Sequence, residues 1–431
     1  MSGAKVGKKE YDIVIIGGGI AGVFAALGAR GKDTSVLLIE LSNMLGGQGT
    51  AGGVAGFCGD TRRVNKPFKS LITTLEKHQL IQEYDPKKDR LDYELEPCAY
   101  LLQEMCVDAG VDIMFKGYVV ETNSENGQIK SVTVSTGAGQ MEICAKQFID
   151  ATGDCRIVEQ MGIPLINEGV NKQLPMSLYF TMWDTGQKIK PQLLPGCQEW
   201  NSDDEIPMTS LHRFETGKVE VKMKVVGFDA SDPIALSEVE IFARRQMMSL
   251  VYFLQTKGYK GKKLDQHVIA FASKHIGIRE SNRIMGEYSL TEQDLKNGKE
   301  FDDAIAVGTY HLDFHWPDKM ERADTGITTM VPPYHIPLNA VLPKDTVNIL
   351  VPGRGLCGDQ MAMSSYRVMA TCAQTGFATG IVAKQSCEKN ISLRELDIKL
   401  VQQEIEEEGQ SLNLEDYGEY LNHIQLGSNS C

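Results

Sequence analysis

The chain opens with two short apolar runs that flank a glycine-rich turn and a helical pattern. Residues 11–16 are apolar apart from Asp12, residues 36–39 are apolar, and the second run ends at Glu40. Between them, residues 17–22 are too rich in glycine for a regular element, and residues 23–31 favour a helix. Short apolar runs bounded by turns are typical of buried parallel strands. The pattern therefore predicts a strand, a glycine turn, a helix and a second strand.

A second glycine-dense segment, residues 46–53, predicts an irregular loop. Residues 97–108 have the apolar spacing of a helix. Between residues 111 and 149, short apolar stretches are interrupted by turn residues at 125–127 and 136–139. Short runs separated by such turns predict a meander of three or four strands.

The pattern changes at about Pro164 and keeps its new character to Ala340. A long amphipathic helix is predicted over about residues 234–256. It lies among strand-like stretches at residues 174–183, 219–228 and 304–315. Together these elements predict a second domain that mixes helix and strand.

After residue 340 the chain resumes the first pattern. Residues 347–351 form another buried strand, residues 364–384 a helix, and residues 393–407 an acidic helical tail. We therefore predict a discontinuous first domain (1–163 and 341–390), a second domain (164–340) and a C-terminal helical tail (391–431).

Composition narrows the class of protein. The 431 residues carry a net charge of -13, which disfavours a nucleic-acid partner because phosphate binding needs clustered Lys and Arg. The 10 cysteines include no CxxC spacing, so we predict no zinc site, iron–sulfur cluster or dithiol pair. No stretch approaches the roughly 20 apolar residues of a membrane span, and residues 1–10 do not resemble a signal peptide. We expect a cytoplasmic protein with reduced thiols.

Gly17, Gly19 and Gly22 match the dinucleotide fingerprint GxGxxG at its required place between a strand and a helix. The first glycine allows the tight turn, the second lets backbone approach a pyrophosphate, and the third lets the helix pack on the strand. The helix N-terminus then offers free N–H groups to the phosphates. Glu40 ends the next strand, where a carboxylate accepts hydrogen bonds from an adenosine ribose and disfavours NADP.

Three later features favour FAD over NAD as the cofactor. The loop at 46–53 can bring backbone N–H groups close to a flavin, and the motif at 151–154 returns the meander to the sheet. A third glycine turn, at 353–355, precedes Asp359, whose carboxylate could hold the ribityl hydroxyls. The helix from about residue 364 directs its N-terminus at the flavin, which suits negative charge on the reduced ring.

The predicted fold class is α/β: a Rossmann-type FAD-binding domain with a three-stranded meander insertion, plus a second α+β substrate or cap domain. The predicted FAD contacts come from the three glycine turns and the segments beside them. They are Gly17, Gly19, Ile20, Ala21, Gly22, Glu40, Gly46, Gly47, Gln48, Thr50, Ala151, Gly153, Asp154, Gly353, Arg354, Asp359, Ser365 and Arg367.

At these residues the chain resembles the FAD-dependent oxidoreductases related to fumarate reductase flavoproteins and heterodisulfide reductase flavoprotein domains. The resemblance covers nearly the whole chain, and residues 277–283 and 365–369 are its more specific parts. It implies that Gly17, Gly19, Gly22, Glu40 and Asp359 bind FAD. It also implies that Arg279 and Arg367 lie near the flavin or the substrate. Relatives often carry His after the position of Asp359, where this chain has Gln360, so a proton-carrying role at that position is in doubt here.

Candidate proton carriers lie at the end of the second domain. His311, Asp313 and His315 alternate along one predicted strand and share a face. We predict no metal there, because no further ligand group stands at a supporting spacing. His315 is the candidate acid or base, since its Asp-x-His context matches the resembled family and imidazole titrates near neutrality. A hydrogen-bonded structural role for these side chains is the alternative.

Arg279, Arg283 and Arg367 are the candidate cations, each able to clamp a carboxylate or stabilise an enolate-like transition state. The alternative is a structural ion pair with an acid such as Glu280. Cys58 follows the glycine loop, and we expect it to be inert because no second cysteine lies nearby. The candidate catalytic residues are Arg367, His315 and Arg279.

Two functions of different classes fit these predictions. In the first, the protein transfers hydride between a small organic substrate and FAD. In the second, it is an electron-transfer subunit of a multi-protein redox complex. No second GxGxxG marks an NAD(P)H domain, so electrons pass to or from oxygen, a diffusible nicotinamide or a partner protein. The sequence leaves that choice open, together with the substrate, the direction of reaction and possible homo-oligomers.

The fingerprint gives the first testable prediction. Purified protein should be yellow, with about one non-covalent FAD per chain. A bulky residue at Gly19 should abolish FAD retention, because its side chain would occupy the pyrophosphate's place. Glu40→Ala should weaken binding by about 1–3 kcal/mol through loss of a charged hydrogen-bond partner. Flavin absorbance after gel filtration measures both, and equal affinity in all three proteins would exclude the fingerprint as the binding site.

Overall fold

The computed structural model describes residues 9–83, 89–214, 216–320 and 326–418. The strands are β1 (Glu10–Ile16), β2 (Val36–Glu40), β3 (Gly56–Cys58), β4 (Arg90–Asp92), β5 (Asp112–Phe115), β6 (Tyr118–Glu125), β7 (Gln128–Thr136), β8 (Gly139–Asp150), β9 (Leu165–Ile166), β10 (Met176–Asp184), β11 (Thr209–Arg213), β12 (Lys218–Val225), β13 (His267–Ala272), β14 (Arg283–Ile284), β15 (Ala304–Gly308), β16 (Leu312–His315), β17 (Gly326–Thr329), β18 (Tyr334–Pro337) and β19 (Ile349–Leu350). The α-helices are α1 (Ile20–Gly28), α2 (Lys66–Lys77), α3 (Leu95–Asp108), α4 (Arg156–Gln160), α5 (Pro233–Thr256), α6 (Glu292–Lys296), α7 (Gln360–Tyr366), α8 (Met369–Lys389) and α9 (Ile398–Glu407).

The central sheet has the strand order β5-β2-β1-β8-β7-β6, and β19 pairs with the C-terminal end of β8. Strands β5, β2, β1, β8 and β19 run parallel, and every residue of β2 is buried, as expected for a strand covered on both faces. Strands β6, β7 and β8 form an antiparallel meander. The predicted Rossmann-type fold with a meander insertion is confirmed.

The structure moves several predicted boundaries. Helix α1 starts at Ile20, three residues earlier than the pattern indicated, because extended Gly19 is its N-cap. The helix predicted over residues 364–384 is two helices, since α7 ends at Tyr366 and Val368 is extended. The strand predicted over residues 304–315 is also two, which pair separately with β18 and β17. The break after α7 leaves Arg367 at a turn rather than within a helix.

A second, antiparallel sheet has the order β11-β12-β10-β13. Its apolar face packs with α5 in a core of its own. In β12, Val219, Val221 and Met223 point into that core. Side chains alternate along a strand, so the charged residues between them occupy the opposite face. They are Lys218, Glu220, Lys222 and Lys224.

Helix α8 lies directly on α1 because glycines meet at the contact. A Cβ atom on Gly376 would stand 2.1 Å from the Ala21 carbonyl oxygen, and one on Gly380 would stand 2.1 Å from that of Ala25. On the other helix, a Cβ atom on Gly28 would stand 2.1 Å from the Phe377 carbonyl oxygen. No side chain fits at such distances, so the two backbones touch.

The largest core joins elements from distant parts of the sequence. Buried side chains between Leu290 and Leu342 pack in the same core as α1 and α8, and so do Val401 and Ile405 of α9. The predicted division into domains stays a prediction, and residues 419–431 of the predicted tail lie outside the described residues. In the described ranges, none of the helices has both the length and the apolar character needed to cross a bilayer.

The contact between α1 and α8 predicts an unusual effect of a helix-favouring substitution. Gly→Ala inside a helix normally stabilises by roughly 1 kcal/mol. Gly380→Ala should instead destabilise by about 1–3 kcal/mol or more, because the methyl group would force the two backbones apart. Gly137→Ala is the control, since a Cβ atom there meets nothing within 4 Å. Thermal unfolding measures both, and a Gly380→Ala protein as stable as the control would contradict the contact.

Candidate functional site

The turn after β1 has the shape that a bound pyrophosphate requires. Gly17 has a φ of 102°, and a Cβ atom there would stand 2.4 Å from the Ala151 carbonyl oxygen. A Cβ atom on Gly22 would collide with the Gly17 carbonyl at 1.8 Å. A Cβ atom on Gly19, in contrast, meets nothing within 4 Å. The first and third glycines are thus required by packing, and the second borders open space at the start of α1.

Glu40, at the end of β2, is hydrogen-bonded to the backbone of this turn. Its carboxylate accepts a hydrogen bond from the Gly18 N–H at 2.6 Å and another from the Ser42 N–H at 2.7 Å. Each oxygen keeps a further lone pair for a ribose hydroxyl. The Gly46 N–H donates to the Gly18 carbonyl at 2.8 Å, which holds the second glycine loop against the first.

Within the second glycine loop, one polar side chain has a hydrogen-bond partner and another has none. The Thr50 hydroxyl donates to the Leu45 carbonyl at 2.5 Å and is buried. Oε1 of Gln48 is also buried, yet it has no hydrogen-bond partner. Gly47 crosses so close to Gly19 that a Cβ atom on it would stand 2.8 Å from the Gly19 Cα atom. The Gln48 oxygen lies close to Gly52 and Gly277, and a buried acceptor without a partner is what a cofactor with polar groups would satisfy.

The third predicted segment is held by one arginine. Arg354 donates to Asp154 Oδ1 at 2.7 Å and to the Ser281 hydroxyl at 2.6 Å, and that hydroxyl also donates to Asp154. Gly153, with a φ of 78°, leaves room for the guanidinium, because a Cβ atom there would stand 2.9 Å from Arg354 Nη2. Gly353 completes the turn with a bond from its N–H to Thr375. The predicted contacts at residues 151–154 and those at residues 353–354 therefore lie next to each other.

These features fit FAD. The open space at Gly19, the paired glycine loops and the ribose-competent carboxylate lie together where the parallel strands β1 and β2 end. Ile20 and Ala21 begin α1 and supply its free N–H groups. The residues present would hold the adenosine and pyrophosphate parts through backbone N–H groups and Glu40.

Two predicted FAD contacts have other partners. The Ser365 side chain is fully buried, and its hydroxyl lies between the Tyr310 carbonyl and the Tyr334 hydroxyl. These contacts pack α7 against the core, and the predicted FAD contact of Ser365 stays a prediction. Asp359 caps α7 by accepting from the Ala362 N–H at 2.7 Å and also accepts from the Glu292 N–H at 2.8 Å. Its predicted role at the ribityl chain would use the remaining lone pairs.

Asp313 connects two of the predicted catalytic residues. Arg367 Nη2 donates to Asp313 Oδ2 at 2.8 Å, and His315 Nε2 lies 3.2 Å from Asp313 Oδ1. Burial acts in the opposite direction, but the hydrogen bond from His315 and the charge of Arg367, with a smaller contribution from Lys222, hold the Asp313 pKa well below its ordinary value. Burial and the charge of Arg279 lower the pKa of His315 to about 4. His315 is therefore neutral at pH 7 and donates its Nε2 hydrogen to an ionised Asp313.

Arg279 and Arg283 have different surroundings although they belong to one motif. Arg283 is fully buried and forms ion pairs with Glu280 and, at 2.6 Å, with Glu168, so the structural alternative holds for it. Arg279 donates to the Pro175 carbonyl at 2.6 Å. Burial and the charge of Arg367 lower its pKa. Arg279 thus belongs to the same electrostatic cluster as Arg367 and His315.

The remaining candidates lie at the edge of this cluster. His311 precedes β16 rather than lying in it, and its ring packs at a tilt against Tyr310 with centroids 3.9 Å apart. Burial raises the pKa of the Cys58 thiol to about 11, which leaves it protonated and unreactive. Gln360 donates to Glu280 at 2.7 Å and to the Lys172 carbonyl at 2.6 Å, so it acts as a structural link. No metal-binding group of three His, Cys, Asp or Glu exists among the residues that the structure describes.

Sequence reasoning missed two cations of the cluster. Burial and the charge of Arg279 lower the pKa of Lys222 to about 7, with smaller contributions from Arg90 and Arg367. Arg90 lies on β4 and is paired with Asp92. The alternating charges of β12 were visible in the sequence, but such a face normally points to water. Only the fold shows that this one is covered.

Residues 12–405 match the protein family described as FAD dependent oxidoreductase. The chain is also 28% identical over 161 residues to digeranylgeranylglycerophospholipid reductase of Methanospirillum hungatei. That match spans 34% of this chain and only 39% of the relative's own length.

Solved structures share the fold at low sequence identity. A geranylgeranyl bacteriochlorophyll reductase-like protein from Thermoplasma acidophilum superposes with a TM-score of 0.52 at 12% identity, over 98% of this chain and 97% of the other. The flavin-dependent halogenase CmlS gives a TM-score of 0.50 at 12% identity, over 94% of this chain and 62% of the other. The fold with its parallel Rossmann sheet and added antiparallel sheets is therefore shared with flavin-dependent enzymes.

The low pKa of His315 predicts a pH dependence of stability. Between the folded value of about 4 and the ordinary 6.5, the unfolded chain binds a proton that the folded protein excludes. The contribution of neutral His315 to the free energy of unfolding is therefore present above pH 6.5 and is lost as the pH falls toward 4. From pH 7 to pH 5, wild type should lose about 2 kcal/mol more than His315→Gln.

Urea unfolding at both pH values measures this difference. His78→Gln removes an exposed histidine and is the control, which should follow wild type. If His315→Gln loses as much stability as wild type on acidification, His315 is not held neutral by the fold.

Proposed function

Because the chain belongs to the FAD dependent oxidoreductase family, we propose that it transfers hydride between a small organic substrate and FAD, with His315, Arg367 and Arg279 acting on the substrate. The observation that carries this proposal is the chain of contacts from Arg367 through Asp313 to His315. It places a cation and a titratable imidazole on two sides of one carboxylate, at the break between α7 and α8. When bound, FAD supplies the hydride acceptor or donor.

His315 is the proposed proton carrier. Its Nε2 hydrogen is directed at Asp313, so Nδ1 carries the lone pair that can accept a proton from the substrate. Asp313 then stabilises the imidazolium that forms, as a carboxylate orients and supports a catalytic imidazole elsewhere. In the reducing direction the same imidazolium returns the proton. The pair therefore serves either direction of reaction.

Arg367 and Arg279 are the proposed cations at the substrate. Arg367 uses Nη2 for Asp313, while its buried Nε has no partner among the described residues. Arg279 is bonded to a backbone carbonyl, which leaves most of its donors available. Preorganised donors in a dry site stabilise negative charge that develops on a substrate oxygen. We assign that task to these two side chains.

The substrate would lie between the FAD-binding sheet and the charged face of β12. An external electron acceptor or donor completes the cycle, and oxygen, a nicotinamide and a partner protein are all compatible with the site. The resemblance to fumarate reductase and heterodisulfide reductase flavoproteins, a cytoplasmic location and homo-oligomers stay predictions. An electron-transfer subunit is the competing function, which the experiment below separates.

The test is a stopped-flow measurement of flavin reduction. A panel of NADH, NADPH and small organic acids, alcohols and enoates is first screened anaerobically for bleaching or reoxidation of the flavin. With the active compound, His315→Ala and Arg367→Ala should each slow the flavin reaction by a factor of about 10² or more. FAD content and thermal stability should stay near wild type, because the loss lies in the transition state.

His78→Ala and Arg394→Ala are matched controls, since they remove an exposed histidine and a surface ion pair with Glu287. Both should react at the wild-type rate. If His315→Ala or Arg367→Ala loses FAD or unfolds while its remaining holoenzyme reacts at full speed, that residue is structural. A flavin that responds to methyl viologen but to no organic compound would favour the electron-transfer subunit.

A further inference from the structure

The charged face of β12 is turned toward the candidate site. Lys222 pairs across the sheet with Tyr179 on β10 and with Ser210 on β11, so the three side chains share one face. A Cβ atom on Gly53, at the end of the second glycine loop, would stand 2.6 Å from the Tyr179 Cβ atom. The face that carries Lys222 therefore lies against the loop that follows Glu40.

Lys222 is enclosed by protein and still reachable. Burial contributes most to the lowering of its pKa to about 7, yet its side chain keeps part of its accessible surface. Arg279 shows the same combination. A side chain that is surrounded by protein and still partly accessible can be reached by a small ligand.

The cluster has more positive than negative charge. Arg90 is paired with Asp92, and Arg367 with Asp313. Asp313 already serves both Arg367 and His315. In the described ranges of the chain, neither the Lys222 ammonium nor the Arg279 guanidinium has a carboxylate within ion-pair distance. Two cations thus lie near each other, and the carboxylate whose charge reaches both of them, Asp313, is already bonded to Arg367 and His315.

Such an arrangement costs free energy in the empty protein. Each cation loses hydration on burial, and the charge of Arg279 makes the charged form of Lys222 still less favourable. An anion bound between the two side chains removes both penalties, because it pairs with the Lys222 ammonium and the Arg279 guanidinium at once. Arg279 offers a planar fork that suits a carboxylate or phosphate, and Lys222 a point charge.

We propose that Lys222 and Arg279 form an anion subsite beside the Asp313–Arg367 pair, and that the substrate carries an oxyanionic group, a carboxylate or a phosphate, that binds there. This proposal rests on the proposed function, because the bound anion is part of the substrate only if the neighbouring residues carry out the reaction. Lys222 is a specificity-determining residue of this site, which fixes one end of the substrate while the other end reacts.

Isothermal titration calorimetry on the FAD-loaded protein tests the subsite with unreactive probes. Acetate, succinate and inorganic phosphate are titrated separately, and acetamide is the uncharged match for acetate. Wild type should bind at least one of the anions and should bind acetamide at least about tenfold more weakly. Tighter binding of phosphate than of both carboxylates would assign a phosphate group to the substrate, and the reverse order a carboxylate.

Lys222→Met and Arg279→Gln should each weaken anion binding by about 10- to 100-fold, the loss expected for a charged hydrogen bond. Lys222→Arg keeps the charge and should retain more of the anion affinity than Lys222→Met. Lys130→Met, which removes an exposed lysine of β7, is the matched control and should bind as wild type does. If Lys222→Met does not fold, the loss in Arg279→Gln and the comparison of acetate with acetamide still decide.

The proposal is overturned if wild type binds none of the three anions, if acetamide binds as well as acetate, or if both charge-removing variants retain wild-type affinity. Failure here is distinct from failure of the proposed function. Anion binding without any flavin reduction by organic compounds would support the subsite and contradict the proposed hydride transfer. Flavin reduction by an uncharged substrate, with no anion binding, would support the hydride transfer and contradict the subsite.

Discussion

The position of the candidate site depends on the direct backbone contact between α1 and α8. Gly28, Gly376 and Gly380 allow that contact, because any side chain there would collide with a carbonyl of the other helix. Helix α1 starts at the phosphate turn, and α8 starts just after Arg367. Locking the two helices together therefore fixes the distance between the cofactor turn and the cation at the break. Two rigid elements hold such geometry more accurately than a loop would.

The same contact reaches the second glycine loop. A Cβ atom on Gly49 would stand 2.6 Å from the Met369 sulfur and 2.8 Å from the Tyr93 hydroxyl. The Tyr93 hydroxyl itself donates to the Gly49 carbonyl at 2.7 Å. The first residues of α8 are thus packed against the loop that follows Glu40. Substitutions in this region that have no contact with a ligand would still shift the site.

The residues around Asp313 are distinguished by their charge as well as by their shape. Asp313 is an ionised carboxylate that is shared between Arg367 and His315, and the cations around it outnumber it. Buried charges are stable only where they are paired and hydrogen-bonded, so an excess of one sign marks a place where a ligand completes the balance. Arg283 is balanced by two carboxylate partners, whereas Arg279 donates only to a backbone carbonyl.

The sequence by itself determined the features that depend on neighbouring residues. The strand, glycine turn and helix at residues 10–28 follow from local apolar runs and from the spacing of the glycines. They predict a dinucleotide site, and the later glycine-rich segments favour FAD as its ligand. Tertiary structure decided the features that depend on what covers a surface. The sequence predicted one continuous helix around Arg367, but extended Val368 divides it into two. The charges that alternate along β12 lie on a face where Lys218, Glu220 and Lys224 are buried, which the sequence pattern did not show. A sequence pattern reports the periodicity of a face but not its partner, and the partner is fixed only when distant segments pack together.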